Sequence, residues 1–384
     1  MGIHRSDHLG RQGLLWLMAL AALAAPLAAL SAQHMQRPRL TADADTLDPR
    51  SYWSYSNRDD VSWQRTHEAR YWAWRLAPDD IDYLYGVYIA MWYRQTPQWR
   101  VQFREGVPSV TRSRPARALD SMLPEIYLRE PFPYLDGPCV WPPGIEEFYE
   151  RNPTLVAVVF FDNNCLEQAA DFYGRAIQRA PDQLWLRLDR ARSMIFRRQY
   201  RAGVSELRVI LDSLRARDEQ YFSHVYQSKA FFEYMVGVAL LRASDLNGAR
   251  AAFGQALTED LAYWPAHARL GDVAAAQGNL GEAASEYDLA VGLRSDDGAL
   301  RFKFGVVLLR ADRLDDAEAQ LRAAIRLEPY WMEPYGQLAV CLDRQNRQAD
   351  AIAAYREYAL RVPHRLSSRR DQALTRVAEL EGAR

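Results

Sequence analysis

Four consecutive stretches decide how this chain folds: AFFEYMVGVALLRASDLNGARAAFGQALTEDLAY (230–263), WPAHARLGDVAAAQGNLGEAASEYDLAVGLRSDD (264–297), GALRFKFGVVLLRADRLDDAEAQLRAAIRLEPYW (298–331) and MEPYGQLAVCLDRQNRQADAIAAYREYALRVPHR (332–365). Aligned by position, their small residues fall into columns. Gly237, Gly271, Gly305 and Ala339 occupy one, and Ala249, Ala283, Ala317 and Ala351 another. Phe253, Tyr287, Leu321 and Tyr355 follow four residues after those alanines, and Ala256, Ala290, Ala324 and Tyr358 three later again. A small residue lets two helices approach closely, and a large ring or Leu on the facing helix fills the groove so opened. Pro329 and Pro363 close the last two stretches, where a proline ends a helix and turns the chain; Leu261 and Ser295 stand there in the earlier ones. A generic amphipathic bundle has a 3.6-residue period but no reason to hold several positions at a spacing of 34.

This pattern resembles the tetratricopeptide repeat (TPR) family, whose unit is a 34-residue helix–turn–helix. The resemblance implies an all-α fold, a right-handed α-solenoid in which the first helix of each repeat lines a concave face. By that analogy the second, fifth, ninth, twelfth and thirteenth places of a repeat point into a groove. They include Phe231, Tyr234, Val238 and Arg242; Ala268, Asp272 and Ala276; Phe302, Val306, Leu309 and Arg310; and Glu333, Val340, Asp343 and Arg344. Of these, Phe231, Tyr234, Arg242, Asp272, Phe302, Arg310, Asp343 and Arg344 form the expected partner-binding set. The chaperone-binding subgroup needs an Asn where this chain has Val238, Asp272, Val306 and Val340, so capture of a chaperone tail is not expected. Apolar patches with periodic arginines suit an amphipathic helix or extended peptide that carries acidic residues.

Two weaker repeats lie upstream. Ala169, Tyr173, Ala176 and Pro181 hold the second-helix places of 150–183, behind an atypical first helix over 154–164. Ala191, Gly203, Leu207 and Ile210 hold places in 184–217, and residues 218–229 then break the register by 12. Downstream, 366–384 reads as a capping helix and tail, with Ser368 and Asp371 as a capping-box variant and Leu374, Val377 and Ala378 as its apolar stripe.

Residues 34–149 differ in composition. Seven of the eleven tryptophans lie here, Trp53, Trp63, Trp72, Trp74, Trp92, Trp99 and Trp141. Two helices are expected, 63–76 and 80–94, reading like a divergent repeat with Tyr85-Gly86 in the Leu-Gly style of the family. Prolines crowd 107–145, which reads as a long irregular loop with a short helix near 116–128. Aromatic rings can stack on sugars, so a glycan-handling protein or enzyme is the alternative function; packing into a core or interface is the plainer reading of the same rings.

The first 33 residues carry an address. Arg5 and Arg11 precede an apolar run over 14–25, then Pro26 and a small-x-small site at Ala29-Leu30-Ser31. This is the order of a secretory signal peptide. The 18 residues 13–30 are also long enough to remain as a signal anchor spanning the membrane. Either way the remainder is expected outside the cytoplasmic membrane, periplasmic or extracytoplasmic.

The net charge of −1 gives no electrostatic reason to expect nucleic acid as a partner. Cys139, Cys165 and Cys341 have no metal-site spacing; an exported chain could bridge Cys139 to Cys165, and three separate thiols is the competing reading. No phosphate loop, dinucleotide fingerprint, zinc-protease helix or nucleophile elbow is present, and His67, His224, His267 and His364 are scattered. The adjacent acids Asp59-Asp60, Asp79-Asp80 and Asp296-Asp297 read as turn and helix-start residues. The expectation is a scaffold that binds a protein partner, with no catalytic residues, metal or cofactor.

Overall fold

The structure, a computed structural model, describes residues 37–58, 60–93, 128, 139, 150–216 and 229–382. The apolar run 14–25 and nearly all of the proline-rich stretch 107–145 lie outside them. Among the described residues there is no strand, and no helix is long and apolar enough to cross a membrane. The chain divides into two compact units, Met122–Gln320 and Met1–Ser121 with Leu321–Arg384.

In the unit Met122–Gln320, each helix packs on the next in chain order. The helices are α4 (Pro153–Asp162), α5 (Leu166–Arg179), α6 (Leu184–Phe196), α7 (Tyr200–Ala216), α8 (Lys229–Arg242), α9 (Leu246–Glu259), α10 (Trp264–Ala276), α11 (Leu280–Leu293) and α12 (Gly298–Arg310). Their start signals are local. Asp245 and Asp297 accept the amides of Gly248 and Leu300 at 2.8 and 2.9 Å, and Pro265 stands in the first turn of α10, where its missing N–H is no loss.

One backbone feature shows that these hairpins are copies of a single design. Asn164, Arg198, Ser244, Gly278, Asp312 and Asn346 all have φ between +59° and +83°. They are 34 residues apart except for the step from Arg198 to Ser244, which contains the 12-residue insertion. Each follows the first helix of a hairpin, and the next residue's amide returns to a carbonyl in that helix's last turn, as Cys165 N to Phe160 O at 2.8 Å and Asn279 N to Ala274 O at 2.9 Å. This is the Schellman arrangement, which satisfies the carbonyls that the helix end leaves over. The same turn stands at Asn164 and Arg198, within 150–216, as in the four strong repeats.

The columns of small residues are close approaches. A Cβ on Gly237 would stand 2.4 Å from the Phe253 ring, and one on Gly271 2.8 Å from the Tyr287 ring. Upstream, Val156, Phe160, Phe161, Tyr173, Ile177 and Leu186 share one core, and a disulfide joins Cys139 to Cys165 (Cα–Cα 5.4 Å) at the residue preceding α5. Arg215, at the end of α7, binds Glu233 at 2.6 Å and Glu259 at 3.2 Å; Lys229, at the start of α8, binds Glu259 at 3.2 Å. The two ends of the insertion are therefore held on one carboxylate.

The other unit contains α1 (Pro49–Ser56), α2 (Trp63–Leu76), α3 (Ile81–Tyr93), α14 (Glu333–Arg344), α15 (Gln348–Ala359) and α16 (Ser367–Gly382). The remaining helix, α13 (Leu314–Leu327), contains the boundary between the units. The sequence expectation missed α1, although Asp48 caps it and Pro49 opens it, a legible start signal. Tyr52, Tyr71, Trp72 and Trp74 are buried. Trp72 meets Tyr330 edge-on, with centroids 5.0 Å apart, and Arg75 pairs with Glu328 at 3.6 Å with both side chains nearly sealed from water. Arg365 binds Asp48 at 2.6 Å, and the His364 amide donates to Asp45 at 2.6 Å. Residues near the two ends of the chain thus share one unit, which no 34-residue period announces.

The capping helix α16 differs in detail from its expected form. Its buried stripe is Ala373 and Val377, whereas Leu374 and Ala378 are exposed. A 3-10 turn at His364–Leu366 leads directly into Ser367, so Ser368 lies inside the helix instead of capping it.

Candidate protein-binding face

The first helices α8, α10 and α12 carry a connected row of polar groups. Arg269 Nε donates to the Tyr234 hydroxyl at 3.1 Å, and Arg269 Nη1 pairs with Asp272 Oδ2 at 2.7 Å. Lys303 Nζ stands 3.6 Å from the same oxygen, and the Tyr287 hydroxyl of α11 donates to Asp272 Oδ1. The row therefore runs from α8 through α10 to α12. Arg310, exposed at the end of α12, donates to the Ala275 carbonyl at 3.3 Å, which lays its guanidinium back toward the end of α10.

Asp272 is the hub. Burial pushes its carboxyl up, and the charges of Lys303 and Arg269 with the Tyr287 and Arg269 hydrogen bonds more than offset that, so its pKa stands below the usual carboxylate value. The same arrangement acts oppositely on the phenol: burial first, then the Asp272 carboxylate, raises Tyr287. With Asp272 ionised, Arg269, Lys303 and Arg310 leave the row net positive. The Lys303 side chain is 41% exposed, so part of that charge faces solvent.

The eight expected groove residues fall into three groups. Asp272 and Arg310 lie on or beside this row; Phe302 is half-buried and precedes Lys303 in α12. Phe231 and Tyr234 are a correction: they are 0% and 2% exposed and so do not stand open in a groove. Tyr234 packs against Phe253 and Tyr263, with ring centroids 5.4 and 5.7 Å away. Arg242 keeps an exposed position but donates to the backbone carbonyl of Leu128.

Asp343 and Arg344 belong to the other unit. There Arg376 of α16 grips Asp343 through two hydrogen bonds, 2.8 and 3.0 Å, and Tyr355 donates to it at 3.2 Å; Arg344 is exposed. Asp343 thus helps hold the capping helix.

Sequence reasoning missed Arg269 and Lys303. The Arg269–Asp272 spacing of three is a helical pairing distance, and Lys303 is one of only two lysines in the chain, so both were visible.

Residues 234–299 and 302–365 match the tetratricopeptide repeat family. Over these residues the hairpins are similar to tetratricopeptide repeats. No curated protein matches the chain. Among solved structures, a MamA double mutant (RS-1) is 16% identical, covering 47% of this chain and 94% of its own, with a TM-score of 0.40. YrrB, described as a TPR protein with an unusual peptide-binding site, is 20% identical over 48% of this chain and 90% of its own, with a TM-score of 0.36. The C-terminal part of a TPR repeat-containing protein from Cytophaga hutchinsonii is 14% identical over 53% and 77%, with a TM-score of 0.45.

The repeats carry no group among the described residues of three or more His, Cys, Asp or Glu that could hold a metal ion. His267 is a buried bridge, its Nδ1 2.8 Å from Glu286 and its Nε2 3.3 Å from the Leu261 carbonyl. An open cleft of about 520 Å³ in the other unit is lined by Asp43, Asp48, Arg50 and Arg58 among others. Asp48 is bound there by Arg50 and Arg365, and Arg58 by Asp60.

Proposed function

We propose that this protein is an exported, non-catalytic TPR scaffold. It captures a segment of a protein partner on the first-helix face of 264–331 and so helps assemble an envelope or secretion complex. The observation that carries the reading is the Arg269–Asp272–Lys303 row with Arg310 at its end. It sits on helices and bears net positive charge, on the same helix as the half-buried Phe302. A helix or extended strand that presents an acidic side chain next to an apolar one complements it. The helices are formed before the partner arrives, so the ordering entropy of binding falls mostly on the partner segment.

Export is supported by the n-region, apolar run and small-x-small site of residues 1–33. The Cys139–Cys165 disulfide is consistent with it, because such bonds persist in oxidising compartments. No observation favours the glycan alternative: Tyr52, Tyr71, Trp72 and Trp74 are buried, which takes their faces from a sugar.

The test is affinity capture from solubilised membranes with the full chain and with Arg310→Glu combined with Phe302→Ala. The reading expects one or a few proteins retained by the native chain and lost from the double variant. Retention of the same proteins by both, or of none by either, would remove it.

A further inference from the structure

The hairpin α6–α7 differs in charge from the other complete hairpins of its unit. Residues 184–216 hold eight arginines against three acids, a net charge of +5, in a chain whose total is −1. By the same reading α8–α9 (229–259) is neutral, and α4–α5 (153–179) and α10–α11 (264–293) are negative. The excess is not consumed inside the hairpin. Arg187 and Arg190 share one carboxylate, Glu206, at 3.1 and 2.8 Å, and Arg192 is matched by Asp189 at 2.7 Å. Arg197 binds Glu167 at 3.2 Å, and Arg215 is held by Glu233 and Glu259. Arg198, Arg201 and Arg208 are exposed and form no ion pair among the described residues.

Their places are ordered. Arg201 and Arg208 are seven residues apart in α7, about two helical turns, and share its exposed side with Ala202, Ser205 and Val209. Arg197 and Arg198 stand in the turn that leads into the same helix. The hairpin design does not ask for basic residues here. The second helices of the other hairpins in the unit begin with Glu167, Asp245 or Glu282, which suits the positive end of a helix dipole. The first turn of α7 has no acid. Like charges gathered on one exposed face repel, and an anionic partner relieves that repulsion.

We propose that the α6–α7 hairpin docks the protein on an anionic lipid bilayer, with Arg198, Arg201 and Arg208 on the headgroup phosphates. A guanidinium binds phosphate through paired hydrogen bonds, and a group of four or more basic residues at one side of a helix is the pattern that anionic membrane surfaces attract. Arg197, Arg198, Arg201 and Arg208 make such a group. A protein partner fits less well, because protein interfaces are built round large apolar or aromatic anchors. Val209, 38% exposed, is the only apolar side chain larger than alanine on this side of α7. Asp212, one turn beyond Arg208, is the only exposed acid of α7 and bounds the patch. The patch uses none of Arg269, Lys303 and Arg310, so lipid docking and partner capture draw on different residues.

The test uses the full chain with a fluorophore on Ser205→Cys, since Ser205 is exposed between the arginines and the other free thiol, Cys341, is buried. Energy transfer to a headgroup-labelled lipid is read on vesicles of phosphatidylcholine alone and of phosphatidylcholine with phosphatidylglycerol. Residues 13–30, if they insert, do so in both, so the difference isolates the charge. Strong transfer is expected on the anionic vesicles only. It is expected to fall to the neutral level when Arg198→Glu, Arg201→Glu and Arg208→Glu are combined, and also for the native arginines in high salt, which screens such contacts. Circular dichroism checks that the triple variant is folded, and the salt arm decides alone if it is not. Equal transfer on the two vesicles overturns the proposal, as does transfer unchanged in the folded triple variant or in high salt. Absence of transfer overturns it too, and binding of poly-glutamate in its place would make an acidic protein the occupant.

Discussion

The ring of Phe253 fills the space that a side chain on Gly237 would need, so that a Cβ there would meet Cε1 at 2.4 Å. Phe253 is fully buried and has nowhere to retreat. Gly237→Ala is therefore expected to destabilise the protein: overpacking costs about 1–3 kcal/mol, and the better helix propensity of alanine returns about 1. Gly254, inside α9, has no atom within 4 Å of its would-be Cβ. Gly254→Ala is expected to stabilise by about 0.5–1 kcal/mol. Opposite signs in thermal or denaturant unfolding check the helix-pair geometry directly.

The clamp of Arg376 on Asp343 makes the capping helix sensitive to acid. Hydrogen bonds from Arg376, against a smaller opposing effect of burial, hold the Asp343 carboxyl below its usual value. A carboxylate whose folded pKa is depressed contributes stability that is complete above the unfolded value, about 4, and is lost as pH falls through the folded one. Protection of the α16 amides against hydrogen exchange, relative to the intrinsic rate at each pH, is thus expected to fall on acidification below about pH 4. Asp343→Asn should show fast exchange already at neutral pH and lose this part of the pH dependence.

The pairing of Arg75 with Glu328 is expected to be costly to break. Both side chains are nearly sealed from water, and removing one partner of such a pair leaves a buried charge, at a typical cost of about 3–5 kcal/mol. Glu328→Ala should lower the unfolding midpoint of the full chain clearly. The double change Arg75→Met with Glu328→Leu should recover most of the loss, because two apolar groups need no compensation there.

Asp272 should matter for holding the row in shape more than for contacting a partner. Asp272→Asn removes the charge that orients both Arg269 and Lys303. Partner capture is expected to weaken by about tenfold, roughly the worth of one charged hydrogen bond. Lys303→Glu should weaken it further and Lys303→Arg least, as read by titration of the captured partner.

The hairpins were legible because each rests on residues in fixed places: Gly237 and Gly271 under Phe253 and Tyr287, and prolines after the second helices. The turn residues were less visible, since Asn164, Arg198, Ser244, Gly278, Asp312 and Asn346 share a conformation without sharing a side chain. The binding face was read from place numbers alone, which say where a Cα lies and not what else arrives there. Phe231 and Tyr234 were expected to stand open, yet both are buried. Asp343 was read by place alone, and α16 brings Arg376 to it. The contacts of Trp72 with Tyr330 and of Arg365 with Asp48 join residues far apart in sequence, and no periodicity encodes such pairs.

The central claim is that partners are met on the first-helix side of the stacked hairpins. Photo-crosslinking in cells tests it most directly, with benzoylphenylalanine placed singly at Lys303 on α12 and at Leu289 on α11, both solvent-exposed. The account predicts a discrete protein adduct from position 303 and none from 289. An adduct from 289 with none from 303 would contradict it.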